Sequence, residues 1–411
     1  MKMQLQKHVD ILKYQDKVVL ANRYNGTWIR VSDEVFGLIQ DFLKADVVSP
    51  DEVLEFSDIK DKEYFDKVIS EMKKCYMVKD GKTYFEQKMM KSVIIETTNR
   101  CNLHCSHCCV AAGDDLSGEL DTESMKKILD KCMEWNPEFI AFSGGEPLFR
   151  RDFFELLFYL RKKYQGKIGL CTNGLLITDQ NVETICQNVD QIDISIDGVD
   201  EETCSVYRGK GVFEKVIRSI ELLQGKGFEN ISLSMVFSDI NEHLEGAFAE
   251  LNKKLGTKPI YRMLAEKGRA KENKEKLASN EYEESYVPES FIDEDGKCNE
   301  LNASKCVAGK HSIMIRHNGD VYPCPSFTEH EEFCMGNILE VDSIQTLIDN
   351  KNVKTALFRA NRANGENCKN CPVNIFCFSC PGDPYRFSSE EKFQEYCKVS
   401  KKLLMERVWG V

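Results

Sequence analysis

Between residues 92 and 264 the sequence switches repeatedly between two periods, and this constrains the fold more than any other feature. Short β-rich runs are "SVIIETT" (92–98), "FIAFSGGE" (139–146), "KIGLCTNG" (167–174), "QIDISIDG" (191–198), "NISLSMVFS" (230–238) and "KPIYRML" (258–264). Amphipathic helical stretches separate them at 121–135, 153–164, 179–188, 212–227 and 243–256. Asp121 stands where its side chain can cap the first helix. Six strands alternating with five helices predict parallel strands joined by right-handed crossovers. Six units are too few for a closed eight-unit barrel, so an open, partial (β/α)6 barrel is expected, with a doubly wound sheet as the alternative. In both, functional residues gather at the C-terminal ends of the strands.

Four polar or glycine-rich loops fall at that edge. The first is "TTNRCNLHCSHCC" (97–109), with Cys101, Cys105, Cys108 and Cys109. "SGGEP" (143–147) follows strand two, "TNG" (172–174) strand three, and "SIDG" (195–198) with Arg208 strand four. Gly144-Gly145 or Asn173-Gly174 alone would be read as turns. Four such loops at matching topological positions point to one site.

The thiols narrow its chemistry. The chain has 411 residues and 18 cysteines. A net charge of -12 argues against a general nucleic-acid binder. No signal-peptide core and no membrane-length apolar run is present, so a cytoplasmic location is expected, where thiols stay reduced. Cys75, Cys132, Cys171, Cys186 and Cys204 are scattered singly and read as small core residues. The others cluster at 101–109 and 298–397, which points to metal or redox chemistry. Cys101, Cys105 and Cys108 could surround one [4Fe–4S] cube and leave an iron open for an exogenous ligand. Cys109 is adjacent to Cys108, should point elsewhere, and reads as a non-ligand. A zinc site is the competing reading of the spacing alone.

"CNLHCSHC" resembles the signature of the radical SAM superfamily, and the resemblance covers about 92–264. It implies that S-adenosylmethionine (SAM) chelates the open iron, and that one electron from the reduced cluster yields a 5′-deoxyadenosyl radical. It also implies that Gly144, Gly145, Glu146 and Pro147 lie beside the methionine amino group. Ser195 and Arg208 would contact ribose and carboxylate, with Asn173 lining the same pocket.

Beyond residue 286 the alternation stops. "CVAGKHSIMIRHNGDVYPC" (306–324) reads as a β-hairpin turning at Asn318-Gly319, and "CKNCPVNIFCFSC" (368–380) as a tight loop. Both resemble the SPASM extension of radical SAM peptide modifiers, which carries two auxiliary [4Fe–4S] clusters. Two residues separate Cys377 from Cys380 where the family has three. The resemblance implies Cys368, Cys371, Cys377 and Cys397 as ligands of a distal cluster. It implies Cys306, Cys324 and Cys380 for a proximal one, with Cys298 as the fourth; Cys334 or an open iron is the alternative.

Residues 1–90 read as a separate unit. Three β-like runs with a turn at Asn25-Gly26 precede amphipathic helices at 33–43, 49–56 and 62–75, and a hairpin at Asp80-Gly81 closes it. This is a winged-helix-like pattern without a basic face. It resembles the PqqD-like peptide-recognition element, which takes a leader peptide as an added strand.

The expected division is therefore 1–90, 91–285 and 286–411. The expected function is a radical SAM maturase that closes a Cys thioether in a ribosomally made precursor peptide. It would use three [4Fe–4S] clusters, SAM, and an electron donor such as flavodoxin or ferredoxin. Other radical SAM–SPASM chemistry (a C–C cross-link, epimerisation or sulfatase maturation) and a non-enzymatic metal-binding regulator are the alternatives. The regulator leaves "GGEP" unexplained, and sulfatase maturases lack an added N-terminal element.

Overall fold

The computed structural model describes residues 3–45, 47, 49–79, 89–114, 118–279, 301–361, 364–377 and 390–411. They form two compact units. One joins residues 1–89 to 292–306 and 358–411, and the other joins 90–291 to 307–357. The C-terminal third is thus shared between both.

In the first unit, β1 (Gln4–Leu5) pairs with β5 (Val78–Lys79), and β2 (Val9–Tyr14), β3 (Lys17–Asn22) and β4 (Trp28–Ser32) form an antiparallel sheet in that order. Helix α1 (Asp33–Lys44) starts where Ser32 Oγ accepts the Val35 N–H, and α2 (Ile59–Lys74) starts at Asp58. The expected helix at 49–56 is instead a single 3-10 turn, Pro50–Glu52. That segment is too short for α-helical bonds to offset nucleation. The Asp80-Gly81 hairpin lies outside the described residues.

Strand β3 is buried on both faces. Val18 and Leu20 pack with Phe36, Ile39, Phe65 and Met72 of the helices. Val19 and Ala21 point the other way, onto Ala303, Val373, Phe376, Val408 and Trp409. The last two end the C-terminal helix, Glu390–Trp409.

In the second unit, β6 (Ser92–Thr98), β7 (Phe139–Gly144), β8 (Lys167–Thr172), β9 (Gln191–Ser195), β10 (Ile231–Phe237) and β11 (Lys258–Met263) lie parallel and in sequence order. An order that never reverses distinguishes a partial barrel from a doubly wound sheet. Helices α3 (Thr122–Glu134), α4 (Phe153–Lys163), α5 (Val182–Asn188), α7 (Val212–Gly225) and α8 (Glu245–Leu255) connect them. An extra helix, α6 (Glu201–Arg208), precedes α7, nucleated by a capping box between Asp200 and Thr203.

The 306–324 hairpin does form, as β12 (Ser312–Ile315) and β13 (Asp320–Tyr322) around Gly319 at φ +90°. Its first strand joins the barrel sheet parallel to β6, and β14 (Gly336–Asn337) extends the edge.

The period-2 alternation sorts the sheet's two faces. Val93, Ile95, Ile140, Phe142, Ile168, Leu170, Ile192 and Ile194 pack against the helices in one aliphatic core. The alternate positions carry polar groups to the other face. Glu96 pairs with Ser143, Cys171 with Asp193, and Ser195 with Ser234. Among the described residues no helix is long and apolar enough to cross a membrane.

Phe142 is fully buried, edge-on to Phe153 at 5.5 Å. Phe142→Ala should cost about 3–5 kcal/mol, read from denaturant unfolding.

Candidate active site

The thiol loop leaves the end of β6 and is held by backbone from three directions. The Cys101 N–H donates to Gly113 O at 2.8 Å, and Gly113 N–H to Asn99 O at 3.1 Å. Beneath it, the Gly145 N–H donates to Thr98 O and the Glu146 N–H to Arg100 O, both at 2.8 Å. A Cβ on Gly144 would overlap Thr98 O, and one on Gly145 would overlap Arg100 O. Gly144 is also at φ +122°. The glycine pair therefore has a local purpose: it lets two main chains touch. From above, the Arg269 N–H donates to Cys108 O, Arg269 Nε to Cys105 O, and Asn273 Nδ2 to Ser106 O, at 3.0–3.1 Å. Sequence reading missed this last clasp, because Gly268-Arg269 lies in a segment with no motif.

Cys101 and Cys105 are buried, Cys108 is half-buried and Cys109 is exposed. Each of the first three sulfurs has an N–H donor. Cys101 Sγ faces the Leu103 N–H at 3.4 Å and Asn173 Nδ2 at 3.7 Å. Cys105 Sγ faces Arg208 Nη1 at 3.7 Å, and Cys108 Sγ the Ala112 N–H at 3.4 Å. Burial pushes the Cys101 thiol up to about 11 and raises Cys105 too, so ligation of a metal would have to displace their protons to solvent.

Glu146 is buried and fully engaged. It accepts from Thr172 Oγ1 at 2.7 Å, the Leu148 N–H at 3.1 Å and the Asn173 N–H at 2.7 Å. It thereby ties the loop after β7 to the end of β8, with Pro147 buried beside it. Burial pushes its carboxyl up to about 7 despite these bonds.

Arg208 is anchored by Asp197, whose Oδ2 accepts from its Nε at 2.6 Å and Nη2 at 2.5 Å. His107 Nε2 meets the same oxygen at 2.9 Å, and the Val236 N–H donates to Asp197 Oδ1 at 2.6 Å. Burial opposes the charge, yet Arg208 and His107 hold the Asp197 carboxyl well below the ordinary carboxylate range. Asp197 sits at φ +51°, a left-handed conformation that Asp tolerates better than most residues. Asp197 and His107 both lie in the motifs quoted above, but only folding showed that they meet. Ser195 stands apart, hydrogen-bonded to Ser234 Oγ at 3.4 Å.

On the polar face, Arg316 Nε donates to Glu96 Oε2 at 3.2 Å and Arg262 Nη2 to Asp193 Oδ2 at 2.5 Å. Glu96 Oε1 and Asp193 Oδ1 are buried without a hydrogen-bond partner.

The downstream thiols divide. Cys368, Cys371 and Cys377 share one tight loop, closed by Cys371 N–H to Cys368 O at 2.9 Å and Cys377 N–H to Val373 O at 3.1 Å. Cys397, on the C-terminal helix, is close enough to Cys371 for the two to interact electrostatically. Cys334 is beside Tyr322. Cys306 belongs to the first unit and Cys324 to the second. Cys298 and Cys380 lie outside the described residues.

Residues 95–251 match the model of the radical SAM superfamily, and 306–372 that of SPASM, an iron-sulfur cluster-binding domain. The mycofactocin maturase MftC of Mycobacterium tuberculosis is 31% identical over 284 residues, spanning 64% of this chain and 70% of its own. This chain belongs to the radical SAM superfamily. A second relative is AlbA of Bacillus subtilis, an antilisterial bacteriocin subtilosin biosynthesis protein, 29% identical over 305 residues, 69% of this chain and 66% of that one. The fold is also that of Streptococcus suis SuiB, solved bound to its precursor peptide SuiA. The TM-score is 0.56 with 14% identity, over 94% of this chain and 97% of SuiB.

As a radical SAM protein with a SPASM domain, it carries an apparatus for SAM and iron–sulfur clusters. Among the described residues no three Cys, His, Asp or Glu side chains close around a single metal ion. A cube, by contrast, spreads its ligands over separate irons. Three thiols in one clasped loop, each met by an N–H donor, fit that need, since such donors stabilise sulfur carrying negative charge.

Two outcomes follow. A carboxyl raised from 4.5 to about 7 holds a proton in the folded chain that the unfolded chain has released. The stability of the cluster-free chain should therefore fall as pH rises from 4.5 to about 7, by this group's share. Glu146→Gln should flatten that slope in thermal unfolding midpoints, and an unchanged slope would place the titration elsewhere. Replacing Cys101, Cys105 or Cys108 with Ala should abolish 5′-deoxyadenosine formation, whereas Cys109→Ala should retain it.

Proposed function

We propose that this protein is a maturase that closes a thioether between a Cys sulfur and a carbon of another residue in a ribosomally made precursor peptide. The observation that carries this reading is the second set of thiols, Cys306 to Cys397, in a chain whose relatives include a mycofactocin maturase and a subtilosin biosynthesis protein. When bound at Cys101, Cys105 and Cys108, a reduced [4Fe–4S] cluster with SAM supplies hydrogen-atom abstraction. Joining R–H to R′–SH then requires three departures: the hydrogen atom to the deoxyadenosyl group, the thiol proton to a base, and one electron to an oxidant. An auxiliary [4Fe–4S] cluster is an oxidant of the right class.

The chain's own groups have clear parts. Arg208, fixed by Asp197, and Asn173, fixed through the Glu146 loop, hold positive and N–H dipoles beside Cys105 and Cys101. The polar face carries two carboxylates, Glu96 and Asp193, each paired with an arginine. In the first unit, β2 and β4 are the edges of the three-stranded sheet, where a leader strand could add by main-chain bonds. A ferredoxin- or flavodoxin-type donor would supply the electron that starts each turnover.

Three clusters require about twelve irons per chain on the cubane stoichiometry. Incubation with the precursor peptide encoded beside this protein should give a product lighter by two hydrogens per cross-link, with iodoacetamide labelling lost at one Cys. An unchanged mass in H2O, with one deuteron incorporated in D2O, would instead establish epimerisation and overturn the thioether reading.

A further inference from the structure

The N-terminal sheet buries a second face. The turn between β3 and β4 is tied along the segment that leads into Cys306. The Ala303 N–H donates to Gly26 O at 3.0 Å and the Lys305 N–H to Arg23 O at 2.8 Å. Trp28 Nε1 donates to Leu301 O at 2.9 Å. Gly26, at φ +77°, lies so close to Asn302 that a Cβ there would overlap its side chain.

The same hairpin meets the loop of Cys371 and Cys377. The Trp28 ring stands edge-on to Phe376, with centroids 5.2 Å apart. Arg23 Nη1 donates to Ile375 O at 3.4 Å. Val19 and Ala21, fully buried, pack with Val373, Ile375, Phe376 and Trp409, and Cys371 lies against this cluster. Trp409 is itself held from both sides. Its Nε1 donates to Pro372 O at 3.1 Å, while its own carbonyl accepts from Lys17 Nζ at 2.6 Å.

We propose that the β3–β4 hairpin is a clamp that holds the chain segments carrying Cys306, Cys371 and Cys377 in register for cluster loading. The proposal rests on the reading of those thiols as auxiliary-cluster ligands. Its physical basis is that segment 301–305 has no regular structure of its own and segment 371–377 only one helical turn, Asn374–Cys377, so neither fixes its thiols unaided. A cluster site needs ligands whose positions are set before iron arrives, and a rigid, doubly buried sheet supplies that order. Removal of residues 1–90 would uncover the apolar face of Val19 and Ala21's partners and untie both loops. Loss of peptide modification on such truncation would then report on cluster loading as well as on leader binding.

The test uses the full chain, reconstituted anaerobically with iron and sulfide, and compares Trp28→Ala, Trp28→Phe and Cys371→Ser with the parent. Trp28→Ala should lose iron and sulfide in equal amounts, about four to eight of each per chain, because the two tied segments serve different cubes. Its uncoupled 5′-deoxyadenosine formation from SAM should match the parent, because Trp28 lies outside that site. Trp28→Phe keeps an aromatic ring on Phe376 and should retain the iron. Parental iron in Trp28→Ala would overturn the clamp, as would loss of 5′-deoxyadenosine formation alongside the iron, since the damage would not be confined to the auxiliary segments. Cys371→Ser is the reference: if it keeps parental iron, the ligand reading fails, and the clamp with it.

Discussion

The touch of two main chains, Thr98–Arg100 against Gly144–Glu146, is the constraint on which the rest of the site depends. It joins the ends of two adjacent parallel strands at the point where the thiol loop departs. The two N–H···O bonds there set where Cys101 begins, and only glycine at 144 and 145 permits the approach. Once that crossing is made, Glu146 falls beneath Thr172 and Asn173, and Asn173 reaches back to Cys101. A carboxyl raised by burial is thus retained for its geometry. Its three hydrogen bonds fix the next loop relative to the first.

A second hub lies on the far side of the same loop. Asp197 brings together a residue of the thiol loop, His107, the last residue of α6, Arg208, and the main chain of β10. The buried ion pair would be costly if either partner were left alone. With both present it aims a guanidinium at Cys105. Negative charge on a thiolate, and later on a reduced cluster, is what such a donor stabilises. The polar face of the sheet follows the same logic at longer range, with each buried carboxylate met by an arginine and left one oxygen free.

The downstream thiols lie in a different setting. Cys371 belongs to a segment that packs with the N-terminal sheet through Val373, Ile375 and Phe376. Val18 and Leu20 serve the helices of residues 33–74, while Val19 and Ala21 serve the C-terminal segments. One strand therefore contributes to two cores, and the N-terminal sheet and the C-terminal segments become a single packing problem.

Much of this was legible beforehand wherever the information is local or periodic. The alternation of runs with periods of two and 3.6 residues determined six parallel strands and their helices, because each element must bury one apolar face. The thiol spacing singled out the loop at 101–109 as a metal or redox candidate, and Asn318-Gly319 marked the hairpin. The 49–56 helix was misread because an amphipathic pattern that short lacks the length to sustain itself. Tertiary structure alone decided that β12 extends the barrel sheet, and that Arg269 and Asn273 clasp the thiol loop across more than 160 residues. It alone decided that Asp197 gathers His107 and Arg208. Tertiary structure also decided that residues 1–89 share a unit with 358–411. These are pairings between distant segments. Their partners are chosen by which buried donors, acceptors and apolar faces remain unmatched after each element has formed, and a one-dimensional pattern carries no record of that choice.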